Sequence, residues 1–158
     1  MCKKIIVVLF LTATLAMQGN GYYENHHENS LADTSATERV VELRTEGSDL
    51  SYDVTEIKAK AGEKLTIRYI NASEMYHNVV VVKNEDDIKP VGIAALQAYK
   101  NDYIPEGEMD RIVAYSKMAD AGETVEFTFT VPPPGTYPYI CTYSGHFTSM
   151  QGRLISSN

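Results

Sequence analysis

Apolar and polar positions alternate with a period of two along much of the chain. From Lys64 to Asn71, Leu65, Ile67 and Tyr69 fall on one face and Thr66 and Arg68 on the other. Val125, Phe127, Phe129 and Val131 alternate with Glu126, Thr128 and Thr130 in the same way. Neighbouring side chains of a strand point to opposite faces, so each segment predicts a strand with one face on a core. Val40, Leu43 and Arg44 predict a first strand, and Tyr52 to Lys60 a second. Asn78 to Lys83 holds an unbroken valine run, which predicts a strand covered on both faces. Ala-Gly-Glu triplets at Ala61 and Ala121, and the Pro132 to Gly135 stretch, mark turns. Ile93 to Tyr99 departs from the pattern, with Ile93, Leu96 and Tyr103 able to share a face. It predicts a short helical flap inserted between strands near Lys83 and Arg111. The expected fold is all-β, a Greek-key β-sandwich of about eight strands with that flap as its insertion.

The first 37 residues lack this alternation. Lys3 and Lys4 precede an apolar run from Ile5 to Met17, with small residues at Ala16, Gly19 and Gly21. A membrane span needs ~20 apolar residues, so the shorter run predicts a cleaved secretory signal over residues 1–21. Residues 22–37 are polar and predict a flexible linker, leaving 38–158 as the one domain. His26 and His27 stand together in that linker with no further ligand in view, and two solvated histidines are the plainer reading. The chain carries 14 basic and 21 acidic residues, a net charge of −7. Loss of Lys3 and Lys4 with the signal leaves about −9 (12 basic against 21 acidic). That balance offers no basic patch for phosphates and argues against nucleic acid. It suits an exported monomer, without stable membrane insertion, whose partner presents a basic surface.

Cysteine usage narrows the chemistry. Cys2 precedes the apolar run, where it gives no support for lipid attachment, and it departs with the signal. Cys141 then enters an oxidising compartment with no partner for an internal disulfide. Such a thiol is buried and inert, paired between molecules, or held by a metal. Its neighbours, Tyr137-Pro-Tyr-Ile-Cys-Thr-Tyr-Ser-Gly-His-Phe-Thr-Ser-Met150, decide the matter. Strand-like segments on either side of a Ser144-Gly145 turn predict a hairpin that gathers Cys141, His146 and Met150 at one end of the sandwich. With His26 and His27 in the linker, His77 is the histidine left to complete the set. Each residue alone has an ordinary structural reading, as a small hydrophobe, a satisfied core imidazole or a gap filler. Together, two imidazoles, a thiolate and a weak thioether are the donor set of blue copper. Zinc could use the same ligands, but structural zinc sites draw on Cys, His and carboxylates rather than Met.

On these residues the chain resembles the cupredoxins, and among them the azurin and auracyanin group. The resemblance rests on Met75-Tyr-His-Asn78, on Arg111-Ile-Val-Ala-Tyr-Ser-Lys117, and on Cys141-Thr-Tyr-Ser-Gly-His146 followed by Met150. It implies one copper ion cycling between Cu(II) and Cu(I), with His77, Cys141 and His146 as strong ligands and Met150 axial. It also implies the Tyr76 carbonyl as a weak ligand opposite. Asn78 would tie the ligand loops together and point its N–H at the thiolate, with Tyr143 beside it. Ser144 stands where azurins have proline, and its extra N–H is expected near the sulfur, raising the potential relative to Ser144→Pro. Met75, Tyr143, Phe147 and Ser149 would form the patch through which electrons pass. Azurins also carry a disulfide and usually a core Trp after the His-Asn pair, where this chain has Val79. The implied partners are redox proteins such as a c-type cytochrome or a membrane reductase or oxidase.

Catalysis is not expected. A multicopper oxidase needs His-x-His pairs, which are missing, and a binuclear centre needs a second cysteine where Gly145 stands. The remaining alternative is a protein that stores or delivers copper without redox cycling.

Overall fold

The computed structural model describes residues 38–158. The expected signal at 1–21 and the linker with His26 and His27 lie outside the described residues. Eight strands run in the order β1 (Glu38–Gly47), β2 (Glu56–Lys60), β3 (Lys64–Ser73), β4 (Val80–Val82), β5 (Ile112–Tyr115), β6 (Thr124–Thr130), β7 (Gly135–Ile140) and β8 (Gln151–Ser157). Helix α1 (Glu85–Ala95) is inserted between β4 and β5. Two sheets result, ordered β1-β3-β6 and β2-β8-β7-β4-β5. β1 pairs with β3 and β2 with β8 in parallel, whereas the other pairs are antiparallel. This is the β-sandwich that the alternation predicts, in the cupredoxin-like form that the resemblance implies. Among the described residues no helix is long and apolar enough to cross a membrane.

The register explains the core. Leu65, Ile67 and Tyr69 of β3 stand opposite Phe129, Phe127 and Val125 of β6, and Leu43 of β1 stands opposite Tyr69. Their inward faces meet Ile57, Val79, Val81, Tyr139 and Leu154 from the other sheet. The valine run is covered on both sides, as expected. Val79 and Val81 face this core, while Val80 and Val82 join Val91, Ile104, Ile112, Ile140 and Phe147 in a second cluster. All four valines are buried, and each fully buried aliphatic side chain contributes about 1.5–3 kcal/mol.

Two elements differ from the reading of the sequence. The second strand begins at Glu56 rather than Tyr52, because the residues before it are committed elsewhere. Tyr52 points inward and donates its hydroxyl to the Asn78 carbonyl at 2.6 Å, and Asp53 Oδ1 accepts from the Arg44 and Val54 amides. The helix also begins earlier than expected and turns a different face inward. Its buried stripe is Asp87, Val91, Gly92 and Ala95, and Ile93 and Leu96 are exposed. Glu85, Asp86 and Asp87 occupy its first turn, where the helix dipole favours acids. Buried Asp87 is paired with Arg111 at 2.6 Å. A Cβ on Gly92 would lie 2.2 Å from the Phe147 ring, so glycine lets the helix settle directly onto the Cys141–Met150 hairpin.

Candidate metal centre

Cys141 follows the last residue of β7 and Met150 precedes the first of β8, so the hairpin closes directly over the site. The Cys141 amide donates to the Met150 carbonyl at 3.1 Å, and the Met150 amide donates to the His146 carbonyl at 2.8 Å. Between them lies a tight 3-10 segment, Tyr143–Thr148, kinked at Ser144 and Gly145, both with positive φ. His77 lies outside the valine strand, in the loop before β4. Two backbone hydrogen bonds with Ala119 hold it, at 3.2 and 2.8 Å. Two residues on, the Val79 amide donates to Ser116 Oγ at 3.0 Å.

These anchors bring three donor atoms face to face. Cys141 Sγ is 3.6 Å from His77 Nδ1 and 3.6 Å from His146 Nδ1, and the two nitrogens are 3.2 Å apart. A point inside this triangle lies about 2.0 Å from every corner, the length of a metal–imidazole bond and a few tenths of an ångström short of a metal–thiolate bond. His77, Cys141 and Met150 are fully buried, and His146 is 8% exposed. Burial pushes the Cys141 thiol up to about 12, against the opposing pull of the Asn78 and Tyr143 N–H groups aimed at the sulfur. Burial, helped by neighbouring His146, pushes His77 down to about 4, and burial lowers His146. Without metal the pocket therefore holds a neutral thiol and two neutral imidazoles near pH 7. The donor chemistry fits copper, with His77, Cys141 and His146 gathered and Met150 buried at the hairpin's end.

Asn78 joins the two ligand loops. Its Oδ1 accepts from the Thr142 amide at 2.8 Å and its Nδ2 donates to Thr142 Oγ1 at 2.8 Å. The same Nδ2 reaches the Asp102 carbonyl at 3.3 Å, tying the loop after α1 to the site. The backbone N–H groups of Asn78 and Tyr143 favour the thiolate form of Cys141. Ser144 has φ 41°, which proline cannot adopt, so Ser144→Pro would distort the hairpin rather than merely delete a donor.

The expected surface patch is divided by the fold. Met75 and Tyr143 are half-buried and Ser149 is exposed, but Phe147 is 8% exposed and packs inward against Gly92. Tyr76 turns its ring outward, 48% exposed and 5.7 Å from that of Tyr143, which stands edge-on to His146 at 5.1 Å.

Asn71, absent from the expected site, organises the loop leading to His77. It is fully buried, and its Nδ2 donates to the carbonyls of Met75, Ala119 and Asp120, while its Oδ1 accepts from Ser73. The alternation Leu65, Ile67, Tyr69 places Asn71 next on the core face, where an amide must be hydrogen-bonded. That signal was available in the sequence.

Comparison with known proteins agrees with this geometry. The model for copper binding proteins of the plastocyanin/azurin family matches residues 39–156. Auracyanin-A of Chloroflexus aurantiacus is 40% identical over 120 residues, 73% of this chain and 72% of that protein. Its solved structure, described as a "blue" copper protein, matches with a TM-score of 0.73 at 39% identity, over 76% of this chain and 99% of that one. The dithionite-reduced auracyanin of Roseiflexus castenholzii matches with a TM-score of 0.71 at 33% identity, over 75% and 97%. Azurin-2 of Alcaligenes xylosoxydans xylosoxydans is 30% identical over 125 residues, 72% of this chain and 95% of that protein. The chain belongs to the plastocyanin/azurin family, as a cupredoxin of the blue-copper kind whose cofactor is copper.

Proposed function

We propose that the protein carries single electrons between redox partners outside the cytoplasm. The observation that carries this reading is the buried and braced triangle of Cys141, His77 and His146. Copper held by His77, Cys141, His146 and Met150, with the Tyr76 carbonyl as a further weak donor, would supply a one-electron Cu(II)/Cu(I) couple. The chain's own contribution is to keep the donors still. Asn78 ties the loops, the β-bridge with Ala119 holds His77, and the N–H groups of Asn78 and Tyr143 stabilise charge on the sulfur. Donors that do not move on oxidation or reduction keep the reorganisation cost low. His146, close to the surface beside Met75, Tyr76, Tyr143 and Ser149, is the proposed exit for the electron.

The partners we propose are proteins with a basic docking face, such as a c-type cytochrome or a membrane reductase or oxidase. Export rests on Lys3, Lys4 and the apolar run, and a monomeric, non-enzymatic carrier is the simplest form. Deep burial argues against a site built to hand copper on, which would need open ligands. Voltammetry of the copper-loaded protein tests this: a reversible one-electron wave over many cycles is expected. Copper loss on reduction would support storage or delivery instead.

A further inference from the structure

A cleft beside His146 is not used by the metal ligands. Its volume is about 280 Å³, and it is lined by Tyr76, Tyr99, Asp102, Tyr103, Met118 and Tyr143. The Tyr143 ring, edge-on to His146, forms its inner wall. Tyr103 lies 5.0 Å from Tyr143 at 68°, and Tyr76 lies 5.7 Å from it at 49°, so the rings tilt around a hollow rather than stack shut. Tyr76 and Tyr99 are 48% and 61% exposed, leaving the mouth open.

The floor is held in an uncommon conformation. Asp102 and Tyr103 are consecutive non-glycine residues with φ 48° and 58°, a backbone that costs energy unless its surroundings fix it. Asn78 Nδ2 fixes it at the Asp102 carbonyl, and the Tyr103 amide donates to Ala98 O at 3.0 Å. The copper site and the cleft thus share Asn78 as a brace.

The chemistry of the lining selects its occupant. Aromatic faces carry negative potential and a carboxylate adds a full charge, so tyrosines around an acid bind cations. Tyr99 shows this preference within the chain, with Lys100 Nζ 5.8 Å from its ring centre. The nearby Lys117 is engaged by Glu123. The hollow admits the head of one long side chain, and the net charge of −7 draws a basic surface toward it.

We infer that this cleft receives a lysine or arginine side chain of the electron-transfer partner and so fixes that partner over His146. The inference rests on the carrier reading above. The test combines Asp102→Asn, which tolerates the left-handed backbone, with Tyr99→Leu, and uses a basic c-type cytochrome as the probe. The double variant should keep its blue absorption, its reduction potential and a rate with hexacyanoferrate that does not fall. Its rate with the cytochrome should fall about tenfold at low salt, in line with losing a cation–aromatic contact and its charge. An unchanged cytochrome rate would overturn the inference.

Titration with N-acetyl-trimethyllysine, followed by tyrosine ring resonances, reads the cleft independently of electron transfer. Shifts at Tyr99 and Tyr103 in the wild-type chain, lost in the variant, support cation recognition, and no shift overturns it. Failure of the wild-type chain to exchange electrons with hexacyanoferrate would instead sink the carrier reading.

Discussion

Three donor atoms 3.2–3.6 Å apart in a buried pocket need something between them. A proton can serve one pair, but a metal serves all three, and the ligand types then decide the metal. Softness at Cys141 and Met150 selects copper, and their separate roles give separable predictions. Cys141→Ser should abolish the intense blue band, because that band belongs to the copper–thiolate bond. Met150→Gln should keep the band and lower the reduction potential, which voltammetry would read; an unchanged potential would remove Met150 from the axial role. Proton bookkeeping gives another. Since Cys141 is pushed up to about 12 and His77 down to about 4, metal loading near pH 7 must expel the thiol proton and no imidazole proton. Copper uptake in weak buffer should release about one proton per ion, and affinity should rise about tenfold per pH unit above neutrality. Release near zero would mean the thiol was already ionised.

At the scale of elements, helix α1 and the hairpin act together through Gly92 and Phe147. Gly92→Ala would drive a methyl group into a ring whose nearest atom lies 2.2 Å from the Cβ position. The expected cost is about 1–3 kcal/mol in chemical denaturation, from overpacking. The visible spectrum should also shift, because Phe147 is joined to His146. A variant of wild-type stability would show that the helix has room to slide.

These two elements also show what could be read in advance. The copper hairpin was legible because three of its ligands lie within ten residues, on a turn between two strand patterns. The strands were legible wherever one face is buried, as at Leu65, Ile67 and Tyr69. The helix was misplaced because Pro90 and Gly92 look like breakers, and because its buried stripe is narrow and made of small residues. The inward turn of Phe147 depends on the absence of a side chain at Gly92, far away in the chain, and no local pattern carries that information.

At the scale of the molecule, the sandwich works as a mount that gathers His77, Cys141 and His146, and the chain as a whole carries a net charge of −7. Acidity acts on encounter more than on affinity, since charge steers association over about a Debye length. Electron exchange with a basic cytochrome should slow as ionic strength rises, in stopped-flow measurements from low to physiological salt. Salt-independent rates would mean that docking is apolar alone. The central claim remains the buried Cys141, His77, His146 and Met150 centre with its single copper. Addition of Cu(II) to the metal-free protein tests it most directly. An intense blue colour that saturates at one equivalent, bleaches with mild reductant and returns with oxidant is the predicted result; a pale complex, or copper lost on reduction, would contradict it.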